Sequence, residues 1–123
     1  MEHEAVFKQV LNCAFKVHTL LGPGLLESAY EECLFFELKN AGLRVEKQKP
    51  MPLVYDKIKL DAGYRVDLLV ESSVIIEIKA VETMNDVFLA QILTYLKLSG
   101  CKLVLLINFN VAHLRDGIKR VIL

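Results

Sequence analysis

Apolar side chains recur every three or four positions over the first part of the chain, which is the spacing of an α-helix packed on a core. A first helix is therefore predicted over 6–21, with polar and charged side chains on its opposite face. Gly22-Pro23-Gly24 ends it, because proline cannot continue a helix and glycine permits a turn with positive φ. A second helix is predicted over 25–40, and Gly42 lies where a helix stop is expected.

After Gly42 the period of the pattern changes to two, which indicates β-strands. The first of these strands should end at Pro50 or Pro52, since proline interrupts strand pairing. Further short strands follow, and the last two are joined by only three residues, so they should form an antiparallel hairpin. The predicted strands of this region are 43–49, 53–55, 58–60, 64–70 and 74–79.

The rest of the chain returns to a helix and then to strands. Helical spacing resumes over 85–99 and ends at Gly100, and the apolar run 102–108 reads as a strand buried on both faces. A final hairpin of 111–114 and 118–122 is predicted around an Asp-Gly turn. This order of elements predicts an α/β protein with one mixed central sheet flanked by helices, forming a single domain over 1–123.

Composition and charge narrow the classes of protein that fit. The chain has 123 residues, 54% of them hydrophobic, which suits one globular domain with a real core. A formal net charge of zero argues against binding nucleic acid through bulk positive charge, although a local basic rim remains open. The start of the chain lacks the pattern of a signal peptide, and no apolar run reaches the roughly 20 residues of a membrane span, so we expect a soluble, cytoplasmic protein without a membrane partner.

The three cysteines carry no signal for a metal or a disulfide framework. Cys13, Cys33 and Cys101 are odd in number, far apart and set in apolar surroundings, with no C-x-x-C pair among them. We expect buried, reduced thiols.

The strongest chemical signal is two acids in neighbouring apolar strands. Asp67 lies in the first strand of the predicted hairpin, and Glu77 and Lys79 lie in the second on one face, two positions apart. Isolated buried carboxylates are strongly disfavoured, so a divalent metal ion is the partner we expect for Asp67 and Glu77, with Lys79 beside it. The alternative is a solvated strand face, which is the usual setting of Glu-x-Lys, but the apolar residues on both sides argue against exposure.

Two further polar residues on helices are candidates, each with a structural alternative. Glu27 lies within the motif Gly24-x-x-Glu27-x-x-Tyr30, where a helix N-terminus by itself stabilises a negative charge. Gln91 and Tyr95 share one face of the third helix, where Gln91 could orient a water or a phosphate or belong to a structural hydrogen-bond network.

The histidines and Tyr30 carry weaker signals. His18 precedes the Gly-Pro-Gly turn and could approach Glu27, although a lone histidine is more often a structural donor. Tyr30 suits a core aromatic with a tethered hydroxyl, and His113 has no supporting context.

Five motifs in order resemble the GxxExxY proteins, a branch of the PD-(D/E)XK nuclease superfamily. The resemblance extends from about Val6 to Val121 and is carried by the segments 22–30, 64–70, 76–80, 90–97 and 106–109. It implies a restriction-endonuclease-like α-β-β-β-α-β core. One departure stands out, because members often carry a histidine near the position of Phe88.

The same resemblance implies roles for the candidate residues. By position, Asp67 and Glu77 would be metal ligands, with Glu27 completing the metal site. Lys79 would be the catalytic lysine, and Gln91 would be the polar residue of the helix that follows the Glu-x-Lys strand.

The implied activity is a Mg²⁺-dependent nuclease that hydrolyses phosphodiester bonds in DNA, with RNA as the second choice of substrate and Mn²⁺ able to replace Mg²⁺. A nucleic-acid substrate would also need basic residues bordering the site, for which the candidates are Lys47, Lys49, Lys57, Lys97 and Lys102. The alternative is a non-catalytic binding or accessory module that retains the fold, which the neutral net charge favours. A homodimer would supply two sites for a duplex and remains open.

Overall fold

Helices pack on both faces of a five-stranded mixed sheet in the computed structural model, which describes residues 2–122. Met1 and Leu123, the two ends of the predicted domain, lie outside these residues. The helices are α1 (His3–Leu21), α2 (Glu27–Asn40) and α3 (Asp86–Ser99). The strands are β1 (Val45–Tyr55), β2 (Ile58–Val70), β3 (Val74–Lys79), β4 (Leu103–Asn108) and β5 (Ile118–Ile122). Among the described residues, no helix combines the length and the apolar character needed to cross a membrane.

The strands lie side by side in chain order, β1-β2-β3-β4-β5. β3 and β4 are parallel, and the other neighbours pair antiparallel. A parallel pair needs a long crossover, which α3 supplies between β3 and β4. The run from α2 to β4 therefore forms the expected α-β-β-β-α-β core, with α1 and β5 added at its ends, and the predicted fold class is confirmed.

The sheet separates two apolar layers. On one face, α1 and α2 pack on side chains such as Leu68 and Ile76. On the other face, α3 packs on side chains such as Ile75 and Leu106. β3 and β4 are buried on both faces, which is why their sequences are almost continuously apolar. A charged residue in either strand therefore enters the core.

The loop between α1 and α2 is held by one tyrosine. Gly22 ends α1 with φ +69°, and α2 begins at Glu27, two residues after the predicted start. The Tyr30 hydroxyl donates to the Gly22 carbonyl at 2.6 Å and accepts from the Leu25 amide at 3.1 Å. The Tyr30 ring also stacks on Phe109 at 4.6 Å between centroids. This loop is therefore fixed to the core just before Glu27.

The four short strands predicted before Val70 are two long strands. β1 continues through Pro50 and Pro52, and it pairs with β2 as a hairpin that turns at Asp56. The prediction that a proline ends the first strand was wrong because β1 is an edge strand, where a missing amide hydrogen leaves no sheet bond unmade.

The predicted final hairpin was also wrong. Residues 111–113 form a loop, a 3₁₀ turn follows at Leu114–Gly117, and β5 pairs with β4 instead. Leu114 is buried, and a Cβ placed on Gly117 would overlap the Asn108 carbonyl. This close packing holds the loop against the end of β4.

Candidate active site

Asp67 and Glu77 meet where the pairing of β2 with β3 stops. The register between these strands runs from Val70–Val74 to Leu68–Ile76. Beyond it, the Asp67 amide donates to Glu77 Oε2 at 2.7 Å, and the Ile78 amide donates to Asp67 Oδ2 at 2.8 Å. Each carboxylate thus bonds the backbone of the opposite strand in place of a sheet partner. The two acids predicted to lie close together are in contact through these bonds.

The side-chain alternation of β2 breaks at Asp67. Leu68 packs in the layer of α1 and α2, whereas Val66 and Leu69, three positions apart, both pack in the layer of α3. A regular strand would place positions 66 and 69 on opposite faces. Because of this irregularity, the Asp67 side chain lies on the α2 side of the sheet, where its carboxylate lines a cavity.

Glu77 is only 4% exposed, although it is an acid. Burial first and then the negative charge of Asp67 raise the pKa of Glu77 to about 8, against the opposing effects of the Asp67 amide and Lys79. Without a cation, Glu77 is therefore largely protonated at neutral pH. The repulsion between the two acids is the condition that a bound divalent cation relieves.

The cavity beside α2 has a volume of about 280 Å³ and an acidic wall. Glu27, Glu31 and Asp67 line it together with Gln48. Gln48 donates to Glu31 Oε1 at 2.6 Å and to Asp67 Oδ1 at 3.2 Å, so one amide bridges both acids. Burial raises the pKa of Glu31, the Gln48 bond lowers it, and the charge of Asp67 raises it again.

Sequence analysis missed Glu31 and Gln48. Glu31 lies one helical turn after Glu27, so the spacing could have shown that both acids share a face of α2. Gln48 carried no comparable signal. It adopts φ +52° in β1, a conformation that a side-chain pattern does not reveal.

Glu27 reaches from α2 to the end of β3. It is exposed, and its Oε2 accepts from the Ala80 amide at 3.4 Å, directly after Lys79. Glu27 and Asp67 therefore face one cavity, although Glu77 is not among the residues that line it.

Lys79 is half-buried at the end of β3. Its Nζ lies 4.5 Å from the centroid of the Phe88 ring, a distance suited to a cation–π contact. Lys79 forms no salt bridge within residues 2–122, so the aromatic face of Phe88 is the contact of its ammonium.

Gln91 lies on α3, apart from the acidic cavity. Its Oε1 is buried without a hydrogen-bond partner among the described side chains. One turn later, the Tyr95 hydroxyl donates to the Arg65 carbonyl at 3.4 Å. Asp67 and Glu27 thus line one cavity and Glu77 bonds the Asp67 amide, whereas Gln91 lies on the α3 side of the sheet, the side on which Lys79 contacts Phe88.

The donors suit a hard divalent cation in their chemistry, since all are carboxylate oxygens. Within the part of the chain that the structure describes, however, no three Asp, Glu, His or Cys side chains are grouped closely enough to hold a metal ion. Asp67 and Glu77 would be two of the metal ligands, and Glu27 and Glu31 lie on the wall of the cavity beside α2. A third acid would have to move toward the pair to complete a site.

None of the five lysines proposed as a border lines the acidic cavity. Two of them are paired elsewhere, Lys47 with Glu32 and Lys49 with Glu46, each at 2.7 Å. Arg65 is the cation that does line the cavity, and it is exposed.

Comparison with known proteins shows to which family the chain belongs. A sequence model of the PD-(D/E)XK nuclease superfamily matches residues 4–121, from the first turn of α1 into β5. Searches of curated proteins and of solved structures return no match to the chain. The matched region contains the whole core together with the acids and the lysine described above. The chain therefore belongs to the PD-(D/E)XK nuclease superfamily.

Proposed function

We propose that this single-domain protein is a Mg²⁺-dependent nuclease of the GxxExxY branch that hydrolyses phosphodiester bonds in DNA. One observation carries the proposal: Asp67 and Glu77 are in contact at the divergence of two buried strands, with Lys79 next to them. Burying two interacting acids destabilises the folded state. Their presence here, next to a lysine, is therefore better explained by a site that binds a metal ion and a phosphate group.

Asp67, Glu77 and Glu27 are the proposed metal ligands, with Mn²⁺ able to replace Mg²⁺. When bound, the metal would lower the pKa of a water molecule and offset negative charge on the phosphate. Gln48 and Glu31 support this set, because the Gln48 amide fixes one oxygen of Asp67 and leaves the carboxylate aimed into the cavity.

Lys79 is the proposed catalytic lysine. Its ammonium has no carboxylate partner within residues 2–122, so its charge is available to the phosphate as negative charge develops there. Gln91 is proposed to orient the attacking water or the phosphate through its unpartnered Oε1, from the same helix whose Phe88 contacts Lys79.

A metal-dependent nicking assay tests the chemistry. The wild-type chain with Mg²⁺ or Mn²⁺ is incubated with supercoiled plasmid, single strands, branched DNA and RNA, and Glu77→Ala and Lys79→Ala are compared under the same conditions. We expect each variant to lose about a hundredfold or more of the wild-type activity. Lys102→Ala, which removes an exposed lysine, is the matched control and should keep full activity.

Equal activity in all variants would identify a contaminating nuclease and contradict the proposal. Folding of each variant is checked by circular dichroism, so that a loss of activity can be assigned to the site.

A second candidate function is a non-catalytic binding or accessory module that retains the nuclease fold. The zero net charge and the absence of the five predicted lysines from the cavity wall favour it. DNA binding without cleavage of any substrate, at millimolar Mg²⁺ and Mn²⁺, would establish this alternative. A homodimer, which would present two sites to a duplex, is tested by sedimentation with and without DNA.

A further inference from the structure

A second cavity, larger than the acidic one, lies between the C-terminal end of α1 and the loop after β4. Its volume is about 580 Å³. The residues that line it are Phe15, His18, Thr19, Gly22, Pro23, Ala112, His113, Leu114 and Arg115. Sequence analysis assigned no role to the loop side of this cavity, and the proposed chemistry does not use it.

The lining of this cavity is opposite in character to that of the acidic cavity. It contains no carboxylate, whereas Arg115, His113 and Thr19 offer hydrogen-bond donors. Arg115 is exposed and forms no salt bridge within residues 2–122, so its guanidinium is available to an anion. Arginine is suited to phosphate because its planar fork can donate two parallel hydrogen bonds.

Short contacts connect the wall of this cavity to the catalytic strand. His18 Nε2 lies 2.8 Å from the Val111 carbonyl, and because a carbonyl only accepts, this nitrogen carries the hydrogen. Two residues earlier, the Phe109 amide donates to the Lys79 carbonyl at 2.9 Å. The cavity loop is therefore anchored directly to the end of β3.

The other wall is tied to the acidic cavity. Gly22 lines the second cavity, and its carbonyl accepts from Tyr30, which lies one turn after Glu27 on α2. Tyr30 also stacks on Phe109, so both walls are held by the same aromatic pair. These contacts thus fix the position of the second cavity relative to the acidic cavity at one end of the sheet.

We propose that this second cavity is a phosphodiester-binding subsite, in which Arg115 and His113 hold a backbone phosphate of the nucleic-acid strand that enters the active site. The proposal rests on the proposed function for its occupant. It also addresses a problem of that function, because a polyanion approaching Glu27, Glu31 and Asp67 needs cations nearby, and Arg65 is the one basic residue among those that line that cavity.

DNA binding by the full chain provides the first test. A short fluorescent duplex is titrated in Ca²⁺, and dissociation constants are measured over a range of salt for wild type, Arg115→Ala and His113→Ala. We expect Arg115→Ala to weaken binding about five- to tenfold and to reduce the slope of log K against log salt by about one. Arg115→Lys should restore part of the affinity, since it keeps the charge but loses the fork.

The matched control is Lys119→Ala. Lys119 is an exposed cation on β5, forms no salt bridge within residues 2–122 and does not line the cavity. The Lys119→Ala variant also removes one positive charge, so it measures the general electrostatic contribution of a surface cation to DNA binding. Equal binding by Arg115→Ala and Lys119→Ala would overturn the proposal.

The histidines provide a second readout that does not depend on cleavage. The chain has three, of which His18 and His113 line the cavity, while His3 at the start of α1 serves as an internal reference. A single-stranded oligonucleotide should shift the ring resonances of His18 and His113 but not those of His3 in wild type. Arg115→Ala should abolish these shifts.

The outcomes separate the subsite from the proposed function. Arg115-dependent shifts in a protein that cleaves no substrate would support the subsite while contradicting the nuclease. No shift with the oligonucleotide would overturn the subsite even if cleavage is observed. Inorganic phosphate alone producing the same shifts at the same concentration would also overturn it, because the cavity would then bind free phosphate rather than a strand.

Discussion

The Glu77 carboxylate, which is 4% exposed, accepts a hydrogen bond from the backbone amide of Asp67 at 2.7 Å, and this bond connects the two acids where β2 and β3 stop pairing. The bond favours the charged form of Glu77, yet burial and the charge of Asp67 outweigh it and leave the pKa of Glu77 at about 8. In the absence of a cation, ionising Glu77 therefore destabilises the folded state, and the stability of the protein should depend on pH.

The free energy of unfolding should fall as pH rises in the presence of EDTA. Glu77 binds its proton up to about pH 8 in the folded state but only up to about 4.5 when unfolded. Between these values the folded state holds more protons, so its stability is greatest below pH 4.5 with respect to this group and is lost toward pH 8. We expect a decrease of about 2–4 kcal/mol between pH 5 and pH 8, measured by chemical denaturation.

Glu77→Gln is the control for this pH dependence, since an amide of the same shape cannot titrate. The variant should lose most of the decrease, and millimolar Mg²⁺ should stabilise wild type more at pH 8 than at pH 5. Identical pH profiles of wild type and Glu77→Gln would show that another group is responsible.

Gln48→Ala should disturb the acidic cavity without unfolding the protein. The Gln48 amide donates to both Glu31 and Asp67, and its loss leaves two carboxylates facing each other without a shared donor. We expect the pKa of Glu31 to rise further, as measured by NMR titration, and cleavage to fall about tenfold. Gln9→Ala on α1, distant from these acids, should change neither; an unaltered pKa of Glu31 in Gln48→Ala would contradict the bridging role.

Phe88→Leu should reduce cleavage while leaving DNA affinity unchanged. Phe88 presents its ring to Lys79 Nζ at 4.5 Å, and leucine keeps the apolar volume but removes the cation–π contact. A contact of about 1 kcal/mol corresponds to a five- to tenfold fall in kcat at constant KM. Phe88→Tyr should restore the rate, and Phe36→Leu, at an exposed site on α2, should have no effect. A change in KM alone would argue against the positioning of Lys79.

Tyr30→Phe should destabilise the fold by about 1–3 kcal/mol, because the Gly22 carbonyl and the Leu25 amide would lose their partner. Stacking on Phe109 is retained in this variant, so denaturation isolates the effect of the hydroxyl. Tyr55→Phe, which changes an exposed tyrosine at the end of β1, should shift stability by less than about 0.5 kcal/mol. Equal stability of the two variants would mean that the hydroxyl does not hold the loop.

Local signals in the sequence determined the three helices, the fold class and the central pair of acids. The periods of apolar residues report which side chains each helix or strand buries, and this depends mainly on near neighbours along the chain. Asp67 and Glu77 were recognisable because acids inside apolar strands contradict that pattern. The Gly-Pro-Gly turn was recognisable because proline and glycine act on the backbone where they stand.

Tertiary structure alone decided which residues surround that pair. Gln48 reaches Asp67 from the edge strand β1, where it takes a positive φ beside β2, and no local pattern encodes such an approach. Gln91 does not line the acidic cavity because the alternation of β2 breaks at Asp67, which turns that carboxylate toward α2, whereas Gln91 lies on α3. The loop before β5 became a cavity wall instead of a strand because Leu114 and Gly117 pack against the sheet end. These outcomes depend on contacts between segments far apart in the chain, which the spacing of residues within one segment does not report.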